Sequence, residues 1–202
     1  METATETGPE EVLSFWLEAG PEAWYRQDDA FDAKIRERFG DIWEVGARGD
    51  LDEAWATNPR GALALIILLD QFPRNMFRGD ARSFASDDRA LSVACYALDR
   101  GWDLRIEPPA RQFFYLPFMH SERLTDQDHC VRLMAERLDS EDNLLHARAH
   151  RNIIRRFSRF PYRNEALGRE TTPEERKFLD EGGYRTVLNQ LQEAAAGKSG
   201  TD

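Results

Sequence analysis

The sequence predicts an all-α fold. Apolar residues recur at three- and four-residue spacing along most of the chain, sustained period-two alternation is missing, and Asn, Asp, Thr and Pro stand where helix N-termini want them. Helices of roughly 10 to 17 residues joined by short loops predict antiparallel helix pairs, stacked as a compact helical bundle or as a short superhelix. Residues 9–195 are expected to form a single all-helical domain, with 1–8 and 196–202 as flexible termini.

Taken in order, Pro9-Glu10-Glu11 opens a helix carrying Val12, Phe15, Trp16 and Ala19, and Gly20 ends it. Asp28-Asp29 opens a second, with Phe31, Ile35, Phe39, Ile42 and Trp43 on one face and a possible break at Gly40. After a short helix within residues 50–57, Asn58 as N-cap and Pro59 at N1 start the most apolar segment, in which residues 62–69 are apolar on every side. A helix of that kind belongs in the centre of the fold. Pro73 is expected to end it and to begin a loop reaching Asp80.

Ser86-Asp87-Asp88 then starts a helix expected to bury Leu91, Ala94, Cys95 and Leu98 before Gly101. The aromatic stretch Phe113 to His120 contains Pro117, which predicts a kink or early end. Residues 125–128 cap a helix with Cys130, Leu133, Met134 and Leu138, and Asp142 or Asn143 begins a long one through Phe157. Thr172, Pro173 and Glu174-Glu175 supply N-cap, N1 and first-turn acids for a further helix, and a helical pattern covers Val187 to Ala195.

The formal charge of −10 argues against nonspecific binding of nucleic acid and against an anionic membrane surface. No basic-then-apolar leader is visible, and the longest apolar run falls far short of the roughly 20 residues that cross a bilayer, so a cytoplasmic location is expected. Cys95 and Cys130 are read as reduced core residues. No phosphate loop, nucleophile triad or metal-ligand spacing is present, so neither cofactor nor metal is expected.

One internal echo stands out. Phe72-Pro73-Arg74-Asn75 recurs, with one extra residue, as Phe160-Pro161-Tyr162-Arg163-Asn164, each copy following a helix and each preceding a glycine, Gly79 and Gly168. The pattern reads as a reused helix ending in which Phe packs down, Pro stops the helix and Arg and Asn answer its last carbonyls.

These segments, together with Leu69-Asp70-Gln71, Phe118-Met119-His120-Ser121-Glu122, His150 to Arg159 and Leu167-Gly168-Arg169, resemble the bacterial "domain of unknown function 924" family. The likeness runs from about Val12 to Leu179. It implies an all-helical, tetratricopeptide-like fold and no established activity. The chain departs from the family's pattern at Ser158 and Tyr162, where glycine and histidine are commoner.

Candidate chemistry gathers at the joints. Asp70, in the last turn of its helix, faces the negative end of the macrodipole and calls for a cation. Arg148, Arg151, Arg155 and Arg159 form one stripe on the long helix, with Arg156 and Arg163 nearby. Those arginines either answer acids of neighbouring helices or present planar donors to a carboxylate or phosphate ligand. Asp70, Gln71, Arg74, Asn75, Arg156, Arg159, Arg163 and Asn164 are therefore the ligand-binding candidates. His120, Glu122 and His150 are the catalytic candidates, as acid and base. His146 and His150 are four apart, but Ala147 stands where a zinc protease needs Glu. Three readings stay open: a protein that binds an acidic peptide, a protein or a small anion; a small enzyme of hydrolase or isomerase type; or a structural protein whose polar joints serve only the fold.

Overall fold

The computed structural model describes residues 7–198, and every regular element in that range is helical. The chain divides into two compact units between Pro117 and Phe118. Of the termini expected to be flexible, residues 1–6 and 199–202 lie outside the described residues, while 196–198 continue the last helix.

The first unit begins with α1 (Pro9–Ala19), with proline in its first turn beside Glu10 and Glu11, then α2 (Pro21–Trp24). In α3 (Asp29–Arg48) the Asp28 carboxylate accepts the N–H groups of Ala30 and Phe31, both at 3.0 Å, and the helix runs unbroken through Gly40. After α4 (Asp52–Trp55), α5 (Pro59–Ile66) is capped by Asn58, whose side chain accepts from Arg60 and Gly61 N–H at 3.1 and 3.0 Å. Residues 62–69 are at most 1% exposed, as their all-round apolarity requires. At about 1.5–3 kcal/mol per large aliphatic side chain, this is the densest source of hydrophobic stabilisation in the unit. α5 packs against α1 and α4. At Gly61 a Cβ would stand 2.0 Å from the Trp55 carbonyl oxygen, so this close approach admits only glycine.

Pro73 does not end the central helix. Residues Ile67–Gln71 form a π-helical turn, in which Phe72 N–H donates to the Ile67 carbonyl five residues back, and α6 (Phe72–Met76) continues the path with Pro73 in its first turn. A proline costs a helix because it leaves a carbonyl without its donor. Here Ser86 Oγ donates to the Leu69 carbonyl at 2.6 Å, and Trp43 Nε1 donates to Ser86 Oγ at 3.0 Å.

Following α6, a 3₁₀ turn (Ala81–Phe84) leads to α7 (Asp87–Asp99), which packs against α5 and buries Ala90, Leu91, Val93, Ala94 and Ala97. Cys95, expected in the core, is exposed, because it lies about 100° around the helix from its buried neighbour Ala94. Trp16 is ringed by Trp24, Phe31, Phe72 and Phe113, with centroids 5.6 to 6.3 Å away. The kink expected at Pro117 is a change of element: a 3₁₀ turn (Ala110–Phe114) gives way to α8 (Leu116–His120), where a first-turn proline removes no helical bond.

In the second unit α10 (Glu141–Phe157), capped by Ser140, packs against α9 (Leu124–Arg137) and α12 (Tyr184–Lys198). Between them, α11 (Pro173–Asp180) starts at a complete capping box of Thr172 and Glu175. Ile153, Ile154, Phe160 and Phe178 form one core cluster, with Phe157, Leu179, Tyr184 and Val187 packed on it. Cys130 is buried in α9, which pushes its thiol pKa up. No described helix is long and apolar enough to cross a membrane.

Candidate functional site

The first joint lies in the first unit. Asp70 and Gln71 sit in the π turn, where Gln71 Nε2 donates to the Asp70 carboxylate. The cation that Asp70 calls for is Arg74, 3.4 Å away and also bonded to the Asp70 carbonyl. Its guanidinium forks onto Asp87, in the first turn of α7, at 2.9 and 3.0 Å. Asn75 turns elsewhere, donating at 2.7 Å to Asp32 in the first turn of α3, a carboxylate that Arg78 also clasps through Nε and Nη2.

The second joint differs in backbone but repeats that plan. α10 ends at Ser158 in the left-handed region (φ 57°), and a 3₁₀ turn (Pro161–Arg163) follows. Asn164 donates to Glu175, in the first turn of α11, at 3.3 Å, and Arg159 forks onto Glu175 at 2.6 and 2.8 Å. Arg159 and the Thr172 cap hold the Glu175 pKa down to about 2. Each joint thus buries Phe and Pro, aims Asn at a first-turn carboxylate and pairs that carboxylate with Arg.

Glu122 anchors the second joint. It accepts from Phe160 N–H at 2.7 Å and from Arg169 at 2.7 and 3.1 Å. Burial alone would raise its pKa, but these bonds outweigh burial and hold it below the usual value. Arg163 is buried with its guanidinium 4.6 Å over the Phe160 ring. Arg156 lies apart, paired with Glu174 at 3.2 Å on the surface, and Arg151 and Arg155 reach Asp128 of α9.

His150 meets the Phe160 ring edge-on at 5.5 Å, Tyr184 at 4.9 Å and His120 at 6.3 Å. Its Nδ1 donates to the His146 carbonyl at 2.9 Å, which leaves the lone pair on Nε2, an atom with no hydrogen bond among the described residues. Burial, helped by the positive fields of His120 and Arg163, lowers its pKa to about 3. His146 Nδ1 is hydrogen-bonded to the Tyr184 hydroxyl. Among the described residues no group of three or more His, Cys, Asp or Glu side chains is placed to hold a metal ion.

A polar groove of about 410 Å³ opens in the first unit beside Asn75. Asp29, Asp32 and Arg36 of α3 line it, with Arg78, Asp80 and Arg82 from the segment after α6. In each arginine Nε and Nη2 are committed within the chain: Arg36 to the Met76 carbonyl, Arg78 to Asp32 and Arg82 to Asp80. Nη1 of all three makes no hydrogen bond among the described residues. A larger groove of about 590 Å³, lined by Asp52, Thr57, Ser92 and Tyr96, contains none of the candidate residues. Sequence reasoning assigned no role to Arg36, Arg78, Arg82 or Arg169. The one signal for the groove was the run Asp28-Asp29 followed by Asp32, which places several acids in one helical turn.

An all-α chain built around two such joints has known relatives. The family described as bacterial protein of unknown function (DUF924) matches residues 12–183, and the chain belongs to it. It is also similar to the solved structure of a protein of unknown function from Agrobacterium tumefaciens, at 44% identity and a TM-score of 0.82, covering 86% of this chain and 97% of that one. No curated protein matches.

Proposed function

We propose that this protein binds a small acidic ligand, a carboxylate-bearing metabolite or an acidic peptide, at the groove beside Asn75. The observation that carries the reading is Arg36, whose Nε and Nη2 are bonded to the uncharged Met76 carbonyl and whose Nη1 hydrogens and charge are uncommitted in the groove. Donors held in place before a ligand arrives lose less entropy on binding than mobile ones. The location expected for such a protein is the cytoplasm. Isothermal titration with acetate, succinate and phosphate tests the reading: binding that weakens in Arg36→Gln supports it, and no heat with any of the three overturns it.

His150 favours a second reading, a small enzyme of hydrolase or isomerase type. The imidazole tautomer is fixed with Nε2 open to accept a proton, and because its lowered pKa makes it a weak base in the free chain, this reading requires a substrate whose negative charge raises that pKa on binding. Glu122, with both oxygens bonded, would serve in such an enzyme by placing Phe160 against His150. Turnover in a broad hydrolase and isomerase screen, abolished by His150→Gln in a folded variant, is the result this reading needs, and silence across those classes counts against it.

A further inference from the structure

The charges lining the groove distinguish between ligands. Asp32 is neutralised by Arg78 and Asp80 by Arg82. Two charged groups remain uncommitted to any other charge: Arg36, whose partner is the uncharged Met76 carbonyl, and Asp29, which makes no ion pair among the described residues. The lining is therefore balanced rather than cationic. A phosphate dianion entering it would meet Asp29, Asp32 and Asp80 as well as the arginines. A ligand carrying one negative and one positive end would answer Arg36 and Asp29 together.

The helix spacing favours a short ligand. Asp29 and Arg36 are seven residues apart on α3, so they share one face with their Cα atoms about 10.5 Å apart along the axis. With a hydrogen bond of about 2.9 Å at each end, a single amino acid of about 3.5 Å reaches about 9 Å and an extended dipeptide of about 7 Å reaches about 13 Å, so the two bracket that spacing. Peptides of three or more residues overrun it unless they bend.

We propose that the groove takes a short zwitterion of one or two residues with free ends, its carboxylate at Arg36 and its ammonium at Asp29. The proposal rests on the acidic-ligand reading above and narrows it. Arg78 and Asn75, braced against Asp32, form the wall along which the peptide lies and supply hydrogen bonds to its carbonyl groups.

The test titrates the full-length protein with alanyl-alanine, its N-acetyl form, its C-terminal amide and inorganic phosphate, in the wild type, Asp29→Asn and Arg36→Gln. Both substitutions fall at exposed positions, and circular dichroism verifies folding. In the wild type each blocked form binds about three- to fivefold more weakly than the free dipeptide, the size of one exposed charge pair. The acetyl penalty disappears in Asp29→Asn and the amide penalty in Arg36→Gln. An acetyl form that binds as well as the free dipeptide, an acetyl penalty that persists in Asp29→Asn, or phosphate binding tighter than dipeptide overturns the zwitterion while leaving an acidic ligand standing; an amide that binds as well as the free dipeptide overturns both. If none of the four probes binds, both fall.

Discussion

Ser86 Oγ donates at 2.6 Å to the Leu69 carbonyl, the acceptor that Pro73 cannot serve, and so closes the break in the central helix. The same oxygen accepts from Trp43 Nε1, so one hydroxyl satisfies a buried acceptor and a buried donor. Ser86→Ala leaves both without partners, and we expect a loss of about 1–3 kcal/mol by urea denaturation with an unchanged denaturant slope. A loss within experimental error would show that Leu69 and Trp43 find other partners.

Ser158 closes α10 with φ 57°, in the region that a side chain disfavours. Ser158→Gly is expected to stabilise the protein by about 0.5–1 kcal/mol, visible as a higher melting temperature.

Acid should loosen the second joint through Glu175. Its pKa is about 2 in the folded chain against an ordinary 4.5, so the folded state favours the carboxylate. The stabilisation is present above pH 4.5 and is lost as pH falls toward 2. Glu175→Gln should cost about 2 kcal/mol near neutrality, and its gap from the wild type should narrow steadily in urea titrations run at successively lower pH. A gap independent of pH would remove Glu175 as the titrating group.

His150 should stay neutral well into acid. With the folded pKa lowered from 6.5 to about 3, its ring proton resonances should not shift between pH 8 and 5, the range in which an ordinary histidine titrates. Because the unfolded chain takes up that proton first, His150 also erodes stability as pH falls from 6.5 toward 3. A normal NMR titration midpoint would refute the assignment.

The elements that sequence reading placed well are those whose chemistry closes within one helical turn. Asn58 caps α5 through residues two and three positions on, and Thr172 and Glu175 complete a box by themselves. The fate of Pro73 was not legible, because the chain passes through it with the help of Ser86 and Trp43, which are distant in sequence. The need for a cation at Asp70 was readable from the helix dipole, and it was met locally by Arg74. Arg36 gave no signal at all: it is one more charge on the outer face of an amphipathic helix until α6 brings the Met76 carbonyl against it.

The π turn of Ile67–Gln71 behaves as a single inserted residue, and it separates two phases of one helix. After Leu69, Asp70, Gln71 and Asn75 are buried like the aliphatic side chains before them, but against polar partners, Asp70 beside Gln71 and Arg74, and Asn75 on Asp32. Removing one residue from the turn would leave α5 where it is and rotate everything beyond it by about 100°. Asn75 would then swing away from Asp32, and Arg78 and Arg82 would leave the groove. The register of this one turn therefore decides whether the α3 side of the groove, with Asp29, Asp32 and Arg36, has an opposite wall.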